Sequence, residues 1–230
     1  MSDAPILRVL IVGHGRMGRL VEALAGEHRM EVAGIIDSAN TRRPDDWPRA
    51  DVAIDFSTAN AVPSNARHLA ARGTNLVIGT TGWQEQEASL REELARHPVG
   101  VVAAPNFALG VNIFIALVSR AAALMAHRTE FGAWIHELHH KAKRDAPSGT
   151  ALAIRQAMEG AGYRSAIDVA STRVGSIPGT HTVGFDSPAD TITLTHTARD
   201  RSIFARGALE AARWVHGRRG WFSMADVLGM

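Results

Sequence analysis

A short apolar segment that leads directly into a glycine-rich loop and a helical pattern constrains the fold more than any other feature. Leu7–Val12 reads LRVLIV, a nearly continuous apolar run that predicts a strand buried on both faces. The next six residues fit G-x-G-x-x-G and precede a helical pattern through about Glu27. Here the first glycine permits a tight turn, the second lets a pyrophosphate approach the backbone, and the third allows close helix–strand packing. The six residues are Gly13, His14, Gly15, Arg16, Met17 and Gly18.

The residue after the second predicted strand bears on the choice of cofactor. Glu31–Ile36 predicts that strand, and Asp37 follows it at the position where an acidic side chain can bind the ribose hydroxyls of NAD. Its charge disfavours the 2′-phosphate of NADP, but Arg42 and Arg43 are close enough in sequence to compensate. The preference between NADH and NADPH therefore stays open. An Asp37 that merely ends a strand is the alternative.

Predicted strands and helices alternate over the first ~105 residues, which favours a parallel sheet with helices on both faces. The remaining predicted strands are Val52–Phe56, Asn75–Ile78 and Gly100–Ala104, with helices at Pro63–Arg72 and Gln84–His97. We therefore predict a Rossmann-like, doubly wound α/β fold. Ligands of such sheets bind beyond the carboxyl ends of the strands. The loops at those ends are Ser57–Thr58, Gly79–Gly82 and Pro105–Phe107, although short loops of this kind also end strands without binding anything.

The pattern changes after Phe107 and predicts an inserted α+β domain with a mixed sheet. Val111–Met125 is apolar on most sides and predicts a buried helix, and Phe131–Leu138 predicts a strand. Three further segments predict antiparallel strands: Val169–Val174, Thr180–Phe185 and Asp190–Ala198. In the last, threonines alternate with other residues, so one face of the strand carries only threonine. We expect residues 1–107 and 205–230 to form a dinucleotide-binding domain, and residues 108–204 a substrate-binding and oligomerisation domain. A helix at Arg206–His216 and a segment at Trp221–Leu228 should pack on the former.

Composition excludes several classes of protein. There are no cysteines, which rules out disulfides and thiolate metal sites and fits a reducing cytosol. Twenty-five basic and 23 acidic residues nearly balance, without a long basic run, so charge does not indicate nucleic-acid binding. No apolar run approaches the length of a membrane span, and the first residues lack the pattern of a signal peptide. We expect a cytoplasmic enzyme.

The densest group of proton-transfer side chains lies in His136–Ala151, which reads HELHHKAKRDAPSGTA. Histidines and cations followed by a Ser-Gly-Thr turn that can begin a helix suit the binding and protonation of an anion. A solvated charged loop is the alternative. A metal site built from His136, His139 and His140 would need a helix to bring the rings together, whereas this segment predicts strand and loop. We therefore expect no metal.

The chain resembles the 4-hydroxy-tetrahydrodipicolinate reductase (dihydrodipicolinate reductase) family of bacterial lysine biosynthesis over nearly its whole length. The most specific match is Glu137–Ala151, which fits the family signature E-x-H-H-x-x-K-x-D-A-P-S-G-T-A. Supporting matches occur in the same order along the chain: Gly15–Gly18, Asp55–Ser57, Gly79–Gly82, Pro105–Phe107, Arg173 with Gly175, Gly179 with His181, His196 with Ala198 and Arg201, and Asp226–Leu228.

The resemblance implies a reaction and a set of roles. The reaction is reduction of 4-hydroxy-tetrahydrodipicolinate, through dihydrodipicolinate, to tetrahydrodipicolinate with NADH or NADPH. By similarity His139 would be the catalytic acid/base and Lys143 the proton donor. Substrate carboxylates would be bound by His140, Ser148, Gly149 and Thr150, with Arg201 a weaker candidate. The cofactor would be held by Gly13, His14, Gly15, Arg16, Met17 and Gly18, by Asp37, by Gly79, Thr80 and Thr81, and by Ala104, Pro105, Asn106 and Phe107. Family members are usually homotetramers assembled through the sheet of the substrate domain.

Several residues depart from the family pattern, and other residues of the signature have modest expected roles. Ser38 stands where an arginine that binds the 2′-phosphate is frequent, Thr180 where an acidic residue is common, and Ala108 where serine is common. The glycine loop is one residue shorter than in many relatives. We expect His136, Lys141 and Arg144 to be bystanders and Asp145 to fix its loop by accepting backbone hydrogen bonds. The rival functions are another two-domain Rossmann oxidoreductase acting on an amino-acid precursor, and a regulator that binds NAD(P)H without turnover.

Overall fold

The structure is a computed structural model that describes residues 5–39 and 43–230. The chain divides into two compact units. Unit 1 comprises Met1–Leu109 and Ser202–Met230, and unit 2 comprises Gly110–Arg201. Arg42, which was considered as a compensating cation for a 2′-phosphate, lies outside the described residues.

Unit 1 is built on a six-stranded sheet in which every neighbouring pair of strands is parallel. The order across the sheet is β10-β5-β4-β3-β1-β2. The four residues of β3 and of β4 are all buried, as expected for strands covered on both faces. The strands are β1 (Leu7–Val12), β2 (Met30–Ile36), β3 (Val52–Asp55), β4 (Asn75–Ile78), β5 (Gly100–Ala103) and β10 (Gly220–Phe222).

Helices cover both faces of this sheet and close two apolar cores. One core packs residues of α1 and α6 against the sheet, and the other packs α2 and α3 against its opposite face. The predicted doubly wound α/β fold is confirmed. The helices of unit 1 are α1 (Arg16–Ala25), α2 (Val62–Ala71), α3 (Glu87–Leu94), α6 (Ser202–Val215) and α7 (Met224–Leu228).

The sequence interpretation missed one strand and overextended one helix of unit 1. Gly220–Phe222 pairs with β5 as the sixth strand, although three residues are too few to show a period. The helix expected over Gln84–His97 is a short 3-10 turn at Gln84–Gln86 followed by α3, which ends at Leu94.

Unit 2 contains a four-stranded mixed sheet in the order β7-β6-β8-β9. The prediction that β7 is antiparallel is wrong, because it runs parallel to β6. The physical reason is the connection, since α5 lies between the two strands in sequence and a helical crossover returns the chain in the same direction. The elements are α4 (Leu109–Met125), β6 (Gly132–His139), α5 (Gly149–Gly160), β7 (Ile167–Arg173), β8 (Thr180–Asp186) and β9 (Thr191–Thr197).

Helix α4 is only partly buried, which corrects the prediction of a helix buried on most sides. One stripe at helical spacing packs into the unit 2 core: Phe114, Val118 and Ala122. On other faces Leu117 is 54% and Leu124 is 61% exposed. The apolar residues of this segment thus exceed what the core of unit 2 covers.

The threonines predicted on one face of β9 extend across to β8. Thr182 and Thr195 are cross-strand partners, with their hydroxyl oxygens 3.1 Å apart, and Thr180 donates to Thr197 over 3.3 Å. Val183 and Phe185 alternate with the threonines of β8 and are fully buried. Among residues 5–39 and 43–230, no helix has the length and apolarity needed to cross a membrane.

Candidate active site

The glycine loop of unit 1 is shaped by close backbone approaches and leaves one glycine facing open space. Gly13 has φ +93°, and a Cβ there would overlap the carbonyl of Phe56, while a Cβ at Gly18 would overlap the carbonyl of Gly13. By contrast, no atom of the described chain lies within 4 Å of the position a Cβ would occupy at Gly15. Gly15 is the N-cap residue of α1 and has no side chain with which to cap it. The loop therefore presents a helix N-terminus with room beside it, as a bound pyrophosphate requires.

The other residues of this loop lie at the start of α1. Arg16 is exposed and Met17 is half-buried against the apolar core of unit 1. The ring of His14 is held by Glu22, with Nε2 2.7 Å from Oε2. Arg16 and Gly15 are thus the exposed part of the motif.

A buried carboxylate that the sequence interpretation assigned no role organises the loops at the carboxyl ends of β3 and β4. Asp55 is 1% exposed, and its Oδ1 accepts from the hydroxyls of Ser57 at 2.6 Å and Thr80 at 2.9 Å. Its Oδ2 accepts from Asn65 at 3.0 Å. Because these groups come from β3, α2 and the loop after β4, Asp55 fixes the predicted cofactor loop Gly79–Thr81 to its neighbours. In the sequence, the role of Asp55 could have been inferred from Asp55–Ser57 (D-F-S), because an aspartate at the end of a buried strand needs hydrogen-bond donors nearby.

A cavity of about 370 Å³ lies at this edge of the sheet, beside the ends of β4 and β5. Its lining includes Thr80, Ala104 and Pro105, three of the residues predicted to hold the cofactor. Nearby, Asn106 accepts from the backbone N–H of Ala108 at 2.9 Å, and Phe107 is buried, with its ring 6.3 Å from that of Phe56. Gly79 packs against the Phe56 ring, while Thr81 is exposed.

Asp37 lies immediately after β2, as predicted, at the same edge of the sheet. Its Oδ1 accepts a hydrogen bond from the backbone N–H of Ala39 at 2.8 Å, so it also stabilises the turn that follows the strand. Arg43 forms a long ion pair with Asp46, 4.0 Å between the charged atoms, and both side chains are largely exposed.

In unit 2, the alternation along β6 separates the histidines of the signature. Glu137 and His139 lie on the buried face of the strand, whereas His136 lies on the opposite face, where Nε2 is 3.0 Å from the hydroxyl of Thr172. The metal site considered from the sequence, which needed His136 beside His139, is therefore not formed. The buried pair instead meets residues from the two neighbouring strands.

Sheet register places the partners of Glu137 directly beside it. Ser171 of β7 and His181 of β8 are its two cross-strand neighbours. One carboxylate oxygen, Oε1, accepts from Ser171 Oγ at 2.7 Å, from Arg173 Nη2 at 2.7 Å and from the backbone N–H of Ser148 at 2.9 Å. Burial alone would raise the pKa of Glu137, but hydrogen bonds from Ser148, Arg173 and Ser171 outweigh it and lower the pKa to about 2.

The other oxygen of Glu137 faces two imidazole rings. Oε2 lies 3.3 Å from His139 Nδ1 and 3.6 Å from His181 Nε2, and the two rings meet edge to face at 5.1 Å. Burial lowers the pKa of His181 to about 4. It also lowers the pKa of His139, helped by the charges of Lys143 and Arg173 and opposed by that of Glu137. Both rings are therefore neutral at pH 7, beside an ionised carboxylate.

Lys143, the predicted proton donor, is paired with Asp145 in this structure. Its Nζ lies 2.8 Å from both carboxylate oxygens, and Lys143 lowers the pKa of Asp145 by donating to it. As predicted, Asp145 accepts a backbone hydrogen bond, from its own N–H, but the Lys143 side chain has the larger effect on its pKa. Its own backbone carbonyl accepts from Arg173 Nη2 at 2.6 Å, so the arginine links this loop to Glu137.

The Pro-Ser-Gly-Thr turn begins α5, as predicted. Ser148 is the N-cap residue, and its Oγ accepts from the backbone N–H of Ala151 at 3.2 Å. Gly149 is exposed and Thr150 is half-buried at the first positions of the helix. His140 is half-buried at the end of β6, and Arg201 is exposed at the end of unit 2.

Three residues around His139 match the family pattern but had no predicted role: Glu137 in the signature, and Arg173 and His181 in the supporting matches. The period of two along β6 was the available signal for Glu137, because it places residues 137 and 139 on one face. Arg173 and His181 depend on the register of β7 and β8, which the sequence interpretation did not contain. With Ser148, these residues form a buried polar group around His139, which we call the Glu137 cluster: Glu137, His139, Ser148, Arg173 and His181.

Comparison with known proteins identifies the family. Profiles described as dihydrodipicolinate reductase, N-terminus and C-terminus, match residues 7–107 and 110–228. The chain is 42% identical to 4-hydroxy-tetrahydrodipicolinate reductase of Acidiphilium cryptum, over 97% of this chain and 98% of that protein. The chain belongs to the dihydrodipicolinate reductase family. A reductase of Christiangramia forsetii is 34% identical over 96% of this chain and 98% of that one.

A solved structure supports the same assignment. Dipicolinate-bound dihydrodipicolinate reductase from Paenisporosarcina sp. TG-14 matches with a TM-score of 0.79 at 25% identity, covering 95% of this chain and 97% of that one. The resemblance predicted from the signature is thus confirmed. So are the predicted enzyme class, an oxidoreductase, and the use of NADH or NADPH.

Proposed function

We propose that this member of the dihydrodipicolinate reductase family reduces 4-hydroxy-tetrahydrodipicolinate, through dihydrodipicolinate, to tetrahydrodipicolinate in the diaminopimelate route to lysine. The observation that carries the proposal is the conjunction in unit 2 of Lys143, neutral His139 and the N-terminus of α5. These groups suit a ring that carries two carboxylates and gains a proton when it is reduced. A protein that only sensed NAD(P)H would have no use for them.

On the cofactor side, residues of unit 1 would bind a dinucleotide. The open space beside Gly15 and the N-terminus of α1, which Gly15 leaves without a side-chain cap, fit a pyrophosphate, and Asp37 would bind the ribose. Thr80 and Thr81 with Ala104–Phe107 would line the remainder of the site. When bound, the reduced nicotinamide supplies the hydride. Nothing in the described residues selects between NADH and NADPH, and we expect NADH to be used at least as well.

On the substrate side, unit 2 would bind two carboxylates and supply one proton. His140 and the α5 N-terminus, with Ser148, Gly149 and Thr150, would bind the carboxylates. Arg201 is an additional candidate. Loss of the 4-hydroxyl as water gives the conjugated imine, and hydride addition to a ring carbon leaves electron density on the conjugated nitrogen system. Lys143 would donate a proton there and regain one from solvent.

In this proposal Lys143 leaves Asp145 to reach the substrate. His139 would act through its neutral imidazole, either exchanging a proton with the substrate or holding Lys143 by accepting a hydrogen bond. General acid catalysis of this kind contributes roughly 10²–10⁴-fold to rate.

The quaternary structure and location belong to the same proposal. We propose a homotetramer assembled through the sheet of unit 2, with the half-buried threonines of β8 and the exposed threonines of β9 at the contact. A sequence without cysteine is consistent with a reducing cytoplasm, where we place the enzyme. Sedimentation velocity tests the first point, because a monomeric protein at micromolar concentration would contradict it.

The assay for the proposed reaction follows NADH and NADPH absorbance with freshly prepared 4-hydroxy-tetrahydrodipicolinate. We expect oxidation of at least one cofactor that depends on the substrate. If neither is oxidised while both bind, as measured by calorimetry, the proposal is overturned in favour of a nucleotide-binding regulator. Turnover of a different amino-acid precursor alone would favour another oxidoreductase.

A further inference from the structure

We infer that Glu137 is a positioning residue for His139, and this inference rests on the proposed function. In our assignment Oε2 of the carboxylate accepts the Nδ1 proton of His139, which leaves Nε2 of that ring unprotonated and able to accept a hydrogen bond. The role is distinct from catalysis, since Glu137 contacts neither substrate nor cofactor in this assignment.

The first argument is that two neighbouring buried atoms each lack a hydrogen bond in the described part of the chain. Glu137 Oε2 and His139 Nδ1 are both buried, and within residues 5–39 and 43–230 neither has a hydrogen-bond partner. They lie 3.3 Å apart, so a small rotation of the ring suffices to align the bond. Leaving two such buried polar atoms unpaired would cost more than pairing them.

The second argument is that the other oxygen of the Glu137 carboxylate already accepts three hydrogen bonds. Oε1 already accepts from Ser148, Ser171 and Arg173, all within 2.9 Å. These three donors fix the plane of the carboxylate and keep it ionised. Oε2 is therefore held rigidly beside His139 and is an acceptor only, so the hydrogen between it and the ring must come from Nδ1.

The third argument concerns His181, the other ring near Oε2. Its Nε2 lies 3.3 Å from Ser148 Oγ, closer than the 3.6 Å to Glu137 Oε2. Ser148 Oγ can donate its proton to that nitrogen, because the bond it receives from Ala151 uses only a lone pair. With Nε2 of His181 accepting from Ser148, the ring does not compete for Oε2.

The fourth argument concerns the opposite side of the His139 ring. Gly179 has φ +156°, and a Cβ there would lie 3.0 Å from His139 Nε2. The absence of a side chain at this position keeps the Nε2 side of the ring clear. An unprotonated Nε2 there can accept from Lys143, whose charge acts on His139.

The same atoms offer an alternative, namely a metal site. Glu137 Oε2, one nitrogen of His139 and one of His181 lie within 4.8 Å of one another. Such a site would place the cation near Arg173 and Lys143, which disfavours it electrostatically. The two assignments make opposite predictions about chelators and about the proton on Nδ1.

The decisive measurement on the unaltered protein is ¹⁵N NMR of the imidazoles at pH 7.5. We expect a protonated Nδ1 and an unprotonated Nε2 for His139, assigned by comparison with H139Q. The opposite tautomer would overturn the inference. So would loss of turnover on treatment with EDTA that zinc restores, because the cluster would then be a metal site. Since the tautomer can be read without turnover, this result is independent of whether the proposed reaction is correct.

The matching variant is Glu137→Gln, with His136→Gln as control, because His136 is the neighbouring residue of β6 and its side chain lies on the opposite face of the strand. With its oxygen toward the three donors, the introduced amide presents its N–H groups to His139 and forces Nδ1 to accept, which inverts the tautomer. We expect kcat to fall roughly 10²–10⁴-fold, as when an orienting carboxylate is replaced, with an altered pH profile. The cofactor Kd should be unchanged.

H136Q changes a side chain that faces Thr172 and leaves the carboxylate with its three donors in place, so kcat should stay within about threefold of the unaltered enzyme. If folded E137Q also stays within about threefold, or keeps the original tautomer of His139, Glu137 does not position the ring. If E137Q does not fold, the measurement on the unaltered protein still decides the question.

Discussion

The predicted binding sites of the two units are formed by different parts of the chain, backbone in unit 1 and side chains in unit 2. In unit 1 the predicted pyrophosphate site consists of backbone and open space: Gly13 and Gly18 bring the chain close to itself, and Gly15 leaves room beside a helix N-terminus. In unit 2 the Glu137 cluster consists of charged and polar side chains from β6, β7, β8 and the start of α5. The first kind of site depends on local geometry, and the second on long-range register and on burial of charge.

This difference sets what each site tolerates. A backbone site is sensitive to the volume added at a glycine and insensitive to pH. A cluster of buried ionisable groups responds to pH and to the removal of a single partner, because each group was stabilised by the others. The predictions below test this contrast, in order of decreasing expected effect.

The largest effect should come from Lys143→Ala. Removing the predicted proton donor should lower kcat by roughly 10²–10⁴-fold. The cofactor Kd, measured by calorimetry, should change less than about twofold, because unit 1 is untouched. Lys141→Ala is the control, since Lys141 is exposed two residues away and is expected to be a bystander. Comparable loss in both variants would show that general positive charge, and not the donor, matters.

The second-largest effect should be the pH dependence of the folding stability of unit 2. The pKa of His181 is lowered from 6.5 to about 4, so the unfolded chain binds the proton first as pH falls. Folding stability is therefore present in full above pH 6.5 and is lost between pH 6.5 and 4, by on the order of 3 kcal/mol for this ring. Denaturant titrations followed by Trp134, the one tryptophan of unit 2, would measure the loss.

His181→Gln should flatten this part of the curve, since glutamine does not titrate. At pH 7.5 both proteins are neutral at this position, so their difference there gives the direct cost of the substitution. If H181Q follows the unaltered protein from pH 6.5 to 4, the pKa of His181 is not depressed. Below pH 4.5 both should weaken further, because Glu137 must be protonated against a pKa of about 2.

The same contrast explains what could be predicted from the sequence. The glycine loop, the parallel strands and Asp37 follow from contiguous patterns: an apolar run, spaced glycines, and a residue at a strand end. For the same local reason the signature predicts Ser148 or Thr150 as the cap of α5, and the structure has Ser148 in that position. Strand β10 was missed because three residues carry no period, and β7 was given the wrong direction because its partner depends on a crossover.

The Glu137 cluster shows what could not be predicted from contiguous sequence patterns, namely contacts between residues far apart in the chain. Glu137 and His139 could be placed on one face from the period of two, but Arg173 and His181 lie 36 and 44 residues further along the chain. Only the pairing of β6 with β7 and β8 brings them to the same carboxylate. The ion pair of Asp145 with Lys143 was likewise not predicted, because it depends on how the loop folds back, which spacing alone does not give.

The third prediction concerns two glycines of the same loop, Gly15 and Gly13, whose replacement by alanine should have different effects. Gly15→Ala adds a methyl group where no described atom lies within 4 Å, at a residue with φ −76° that alanine readily adopts. The Tm should stay within about 2 °C, while the methyl occupies space needed by the pyrophosphate and raises the cofactor Kd roughly tenfold. Gly13→Ala, with φ +93° and an overlap with Phe56, should destabilise the fold instead. Equal cofactor affinity in G15A and the unaltered protein would contradict the backbone account.

The smallest effect should come from Asp145→Asn. The carboxylate of Asp145 is 58% exposed, so its ion pair with Lys143 should stabilise the fold by less than about 1 kcal/mol, and less at high salt. Because the pair must open before Lys143 meets the substrate, we expect D145N to lower the substrate KM about two- to threefold, with kcat little changed. Steady-state kinetics at low and high ionic strength would measure this. A large fall in kcat would instead mean that Asp145 directs Lys143 during proton transfer, and that even an exposed residue beside the Glu137 cluster acts through fixed geometry.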